Sequence, residues 1–198
     1  MAFPHNEWIR LRARDSADYD FAIKVLQSED MENFQELEQL LDGFPEGVDG
    51  FIGRRWITNA IDIGSKASIA WILERDVDLS FCDDEGYTVL HSALQRNRPD
   101  RHEVLELILQ HGAPVNAHGI NDWTAAHMAG ASADIEALKI LIRFEADLSI
   151  RTRIDSYATP LEEARTLGQT SVVDFLKRLK YESNKMTRPA ITPMRVRR

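Results

Sequence analysis

Thr88-Val-Leu-His-Ser-Ala93 and Thr124-Ala-Ala-His-Met-Ala129 are the two stretches that decide how this chain is read. Each opens on threonine, places histidine three residues on and closes on alanine. A third copy, Thr159-Pro-Leu-Glu-Glu-Ala164, lies downstream of them, and Arg55-Trp-Ile-Thr-Asn-Ala60 is a weaker one upstream. Successive copies start 33, 36 and 35 residues apart. A fixed period in this range means stacked supersecondary units, none of which can bury its apolar face alone.

The segment C-terminal to each hexad is repeated as well. After a short polar break come apolar residues at helical spacing: Ile69, Ile72, Leu73; Val104, Leu107, Ile108; Leu138, Leu141, Ile142; and Val172, Phe175, Leu176. The i, i+3, i+4 pattern predicts one apolar face per helix. Three of these helices run into related turns, Asp76–Ser80, Gly112–Asn116 and Glu145–Ser149. Gly112 suits the left-handed residue that closes a helix. Asp76 and Glu145 take the corresponding place with less ease.

The hexads, the apolar second helix and the Gly-Ala-Pro-Val-Asn turn resemble the ankyrin repeat family over roughly residues 51–179. The resemblance implies an all-α solenoid of about four helix-turn-helix pairs with short hairpin fingers. It also implies that His91 and His127 bond backbone at the start of their helices and tie one repeat to the next. Arg55 and Thr58 in the first copy and Glu162 in the last depart from the pattern, as terminal repeats do. About three extra residues fall around 95–101, between paired helices. About two more fall near 151–155, in a finger. Both are expected to map to loops.

Residues 1–50 read as a degenerate helical cap. Phe34, Leu37, Leu40 and Leu41 form one face of a helix that Ser28 or Asp30 can start. Phe21, Ile23, Val25 and Leu26 suggest a helix before it, and Trp8, Ile9 and Leu11 another. Residues 180–198 read as a basic, disordered tail. Its end, from 186, carries two prolines and no acid.

The formal net charge of −8 over 198 residues argues against nucleic acid and anionic membrane as partners. Cys82 is the single cysteine, so no internal disulfide forms. The first twenty residues lack a secretory pattern and no apolar run is long enough to span a bilayer. A soluble cytoplasmic protein, monomeric before it meets a partner, is expected.

A search for chemistry finds no catalytic, cofactor-binding or metal-binding residues to name. His102-Glu103 lacks the second histidine of a zinc-protease helix, and no glycine-rich phosphate loop or nucleophile elbow occurs. His91 and His127 admit a proton-relay or metal reading, but repetition by architecture accounts for them. Cys82 reads as a small packing residue rather than a nucleophile.

The resemblance implies that hairpin tips and first helices make the contacts with a protein partner. Arg54, Tyr87, Trp123 and Tyr157 sit at or beside one repeat phase. Arg96 accompanies them, and Asn59, Asp62, Ser92, Gln95, Met128 and Ser132 are placed on the exposed side of the first helices. Tyr, Trp, Arg and Met are the types that dominate interface energies. The bland alternative is that Tyr87 and Trp123 pack against neighbouring fingers. From Ser28 to Glu46 the chain carries seven acids and no lysine or arginine. Glu32, Glu36 and Glu38 there are either a solvated cap face or a negative platform that steers a basic partner. The expected function is a non-catalytic binding protein, such as an inhibitor, immunity or regulatory subunit. A scaffold joining two partners is the alternative, and an enzyme with an unrecognised site a remote one.

Overall fold

A computed structural model describes residues 16–154 and 157–186. The described residues form a stack of five helix pairs: α1 (Ser16–Leu26) with α2 (Met31–Leu40), α3 (Trp56–Ile63) with α4 (Lys66–Leu73), α5 (Val89–Gln95) with α6 (Arg101–Gln110), α7 (Ala125–Ala131) with α8 (Ile135–Arg143), and α9 (Pro160–Thr166) with α10 (Thr170–Met186). First helices pack on first helices and second on second down the stack. The core is therefore one continuous seam, in which Phe34, Leu37, Ile69, Ile72, Val104, Ile108, Leu138, Leu141, Val172 and Leu176 are buried. Of the expected apolar faces, Leu107, Ile142 and Phe175 are only half-buried, at the edges of the seam.

The expected cap is a helix pair of the same kind. Asp30 starts α2 by accepting from the Glu32 N–H at 3.0 Å. Ser65 ties the cap to the next pair, its N–H donating to the Leu26 carbonyl at 2.8 Å and its hydroxyl to the Ser28 carbonyl at 2.6 Å. Trp8, Ile9 and Leu11 lie outside the described residues. The helical backbone of α10 continues to Met186, past the expected start of a tail at 180. Residues 187–198 lie outside the description.

Each hexad threonine is the N-cap of its first helix. In the α7–α8 pair the Thr124 N–H donates to His127 Nδ1 at 3.2 Å, and His127 Nε2 then reaches the Ala158 carbonyl of the next finger at 3.0 Å. His91 Nδ1 meets the Thr88 hydroxyl at 2.7 Å, as His127 Nδ1 meets that of Thr124 at 2.9 Å, and His91 Nε2 faces the Trp123 carbonyl without closing a hydrogen bond to it. Gly119 lies against this ring; a Cβ there would stand 2.5 Å from it, so no larger residue fits. Burial pushes the His91 pKa down to about 4 and lowers that of His127. His127 fastens its repeat to the next by a hydrogen bond; His91 takes the same place, packed against Gly119, without one. In the last pair Glu162 takes the histidine's place, accepting from the Thr159 N–H at 3.0 Å to complete a capping box.

The α3–α4 pair has Thr58 where the histidine would stand, and a different device holds it to its neighbour. The extra residues between α5 and α6 carry Arg96 and Arg98. Arg96 is fully buried and donates to the Ile61 carbonyl, to the Gly64 carbonyl at 2.9 Å and to both Asp100 oxygens at 2.8 Å. Arg98 adds bonds to the Ile63 and Gly64 carbonyls at 2.9 Å. These carbonyls end α3 and lack helical partners, so a buried guanidinium aimed at them satisfies both sides. The insertion is thus a clamp rather than a bystander loop.

Turn chemistry matches expectation at two places out of three. Gly112 closes α6 at φ 86° and Glu145 closes α8 in the same left-handed region at φ 64°. Asp76 avoids that conformation; Val77 instead donates to the Arg75 carbonyl at 2.8 Å.

Candidate docking face

Four hairpin fingers connect these pairs, each closed at its base by a backbone bond: Asp49 to the Arg54 carbonyl at 2.8 Å, Asp83 to Tyr87 at 2.9 Å, Gly119 to Trp123 at 2.7 Å and Thr152 to Ala158 at 3.0 Å. The last is the longest, where two extra residues were expected. The sequence line Arg54–Tyr87–Trp123 therefore marks one structural position, the finger's returning base, and Tyr157 falls one residue before it.

What those side chains do differs. Arg54 pairs with Asp62 at 2.6 Å. Tyr87 is half-buried, its hydroxyl accepting from Gln95 Nε2 at 3.2 Å. Trp123 is half-buried and packs on the core. Tyr157 is the exposed one, at 62%. Asp62 and Gln95 line a small polar cleft with Arg54, Tyr87 and Ser92. Ser132 is exposed, whereas Ser92 is buried.

Three expected contact residues are corrected. Asn59 is buried because Asp49 is: the Asp49 carboxylate accepts the N–H groups of Phe51, Ile52, Gly53 and Arg54, and the Asn59 amide supplies its remaining donor at 3.0 Å. A buried carboxylate needs such a full set of donors. Met128 is buried where α7 and α9 pack closely; a Cβ on Gly130 would lie 3.3 Å from the Pro160 carbonyl. Arg96 is the internal clamp already described. Cys82 is corrected as well, being exposed on the second finger rather than packed. Burial and Asp83 hold its thiol above the usual range, so it is not an activated nucleophile.

Glu32, Glu36 and Glu38 are all exposed, but on α2, in the row of second helices rather than on the fingers. Glu38 is partly neutralised by Arg75 at 3.4 Å, and Arg75 lies over the Trp71 ring.

Sequence reasoning named Tyr157 but missed the other apolar fingertips. Of the seven large hydrophobic side chains exposed among the described residues, Val48, Phe51 and Ile52 stand on the first finger and Ile154 and Tyr157 on the last. The signal was present: Phe51-Ile52 lies between Gly50 and Gly53, where an apolar pair has no helix to face a core from. Among the described residues no three His, Cys, Asp or Glu side chains are grouped to hold a metal ion, and no helix is long and apolar enough to cross a membrane.

The geometry agrees with comparison to known proteins. The ankyrin repeat family model matches residues 85–120, which run from the second fingertip through α5 and α6 to the third finger. BCL-6 corepressor-like protein 1 of Homo sapiens is 28% identical over 116 residues, covering 58% of this chain and 6% of that protein. The B-cell lymphoma 3 protein homolog of Mus musculus is 28% identical over 147 residues, 71% of this chain and 31% of that protein. The chain thus spans under a third of either relative. With its capped helix pairs, its fingers and its forward-reaching histidine, the chain has the fold of an ankyrin-repeat helical solenoid.

Proposed function

We propose that this chain is a stoichiometric binding protein, an inhibitory, immunity or regulatory subunit, that docks one protein partner on its fingers. The exposed apolar side chains on the first and last fingers carry the reading. Side chains such as Phe51, Ile52, Ile154 and Tyr157 gain nothing from water, and clustered exposure of this kind marks interaction surfaces. The charged residues behind them are largely paired within the chain, which leaves the apolar tips as anchors.

The test is site-specific photo-crosslinking in a lysate of the source cells, with the reactive group at Tyr157, at Phe51 or at the exposed Lys139 of α8. The expected outcome is one common adduct from the two finger positions and none from Lys139. Adducts from Lys139 alone, or unrelated adducts from each position, would remove the finger face as the docking site. A purified adduct of one-to-one composition supports the subunit reading; two different proteins captured at once would favour a scaffold.

A further inference from the structure

Between the first and second fingers lies a cleft of about 340 Å³ whose apolar lining comes from Val48 and Ile52 on one side and Phe81 on the other. Its two arginines are already occupied. Arg54 pairs with Asp62 at 2.6 Å; Arg55 pairs with Asp78 at 3.5 Å and stacks over the Phe81 ring at 4.5 Å. The far wall ends in Asp83, Asp84 and Glu85. Asp83 spends one oxygen on the N–H groups of Glu85 and Tyr87. Asp84 and Glu85 are exposed, and no cation among the described residues pairs with either. Once internal pairs are removed, the cleft is apolar at Val48, Ile52 and Phe81 and negative at Asp84 and Glu85. It is too small for a folded element and fits one or two side chains.

We infer that this cleft recognises a short segment of the partner protein that places a lysine or arginine beside an aliphatic or aromatic residue. The apolar residue seats between Val48, Ile52 and Phe81, and its basic neighbour meets Asp84 and Glu85. An acidic segment meets like charge there and is rejected. The inference rests on docking at the fingers and adds which partner chemistry the first two fingers select.

Cys82 lines the same cleft and is the chain's single cysteine, so it reports occupancy. The full chain is titrated with two sets of short peptides that share leucine, isoleucine, phenylalanine or tryptophan at the central position. One set has arginine on either side of it, the other glutamate. Binding is read by fluorescence anisotropy and by the rate of Cys82 alkylation. The arginine set is expected to bind, to slow alkylation about tenfold at saturation and to weaken with salt; the glutamate set is expected to do neither. The double variant D84K/E85K should reverse the preference, and Ile52→Ser should weaken the arginine set about tenfold, both at unchanged melting temperature because all three residues are exposed. Equal binding of both sets, arginine-set binding that survives D84K/E85K, or no protection of Cys82 by any peptide would overturn the inference. Crosslinks from Tyr157 and Phe51 to one partner in that event would show that docking stands and the cleft is not its selector.

Discussion

Replacing Arg96 by alanine is the most informative single change. The side chain has no exposed surface and makes four hydrogen bonds, two to carbonyls that end α3 and two to Asp100, which retains 25% exposure. Asp100 is held below the usual carboxylate range chiefly by its hydrogen bond to Arg96. In the variant, water can reach Asp100, so most of the loss comes from the two carbonyls. A hydrogen bond from a charged donor contributes about 1.5–3 kcal/mol. Partial rehydration through the vacated space puts the total near the low end, at about 3 kcal/mol, in line with breaking one side of a buried pair. Arg96→Lys keeps the charge but cannot span both carbonyls and both carboxylate oxygens, and should cost about 1–2 kcal/mol. Urea unfolding read by tryptophan fluorescence and by helical circular dichroism measures both. Because Arg96 joins neighbouring repeats, the two probes should also separate in Arg96→Ala, as the α3–α4 pair loosens first. A loss below about 0.5 kcal/mol with coincident transitions would refute the clamp. Reduced partner capture at intact stability would return Arg96 to the docking face.

Acid should weaken the stack through its buried histidines. His91 is neutral in the folded chain down to about pH 4, whereas the unfolded chain protonates near 6.5, so stability falls as pH drops between those values, by about 2 kcal/mol from pH 7 to 5. His127 shifts in the same direction, and His91→Gln should flatten the slope of the urea midpoint against pH. Ala133 and Glu145 hold positive φ where Gly168 and Gly112 stand in other repeats; Ala133→Gly and Glu145→Gly should each raise stability by up to about 1 kcal/mol in the same assay. Tyr157→Ala should leave stability within about 0.5 kcal/mol while reducing partner capture, whereas Trp123→Ala, packed on the core, should cost about 2 kcal/mol; equal thermal losses would contradict the distinction. Leu138→Ala, fully buried in α8, should cost about 2–5 kcal/mol by urea unfolding.

The fold was legible because its information is local and periodic. A threonine cap, a histidine three residues on and an apolar stripe can each be seen within one repeat. The docking face was only partly legible. Asn59 and Met128 were misplaced because a first helix of seven or eight residues has a neighbouring helix on each side, leaving little of its surface free. Arg96 sits in a polar string that reads as loop, and the carbonyls that bury it lie 32 and 35 residues away in the chain. The cleft between the first fingers is likewise a product of stacking, joining Ile52 to Phe81 across a repeat. No spacing rule within one repeat announces it.

Glu162 lacks the forward donor that His127 has. His127 offers an acceptor backward, to its own threonine, and a donor forward, to the next finger. A carboxylate can only accept, and Glu162 turns its oxygens to the Thr159 N–H and to Arg151, which holds its pKa near 2. Growth of the stack by duplication beyond α10 would therefore meet a finger carbonyl with no donor waiting for it. Grafting a further repeat would call for histidine at position 162, just as shortening the array after α8 would leave His127 reaching into solvent.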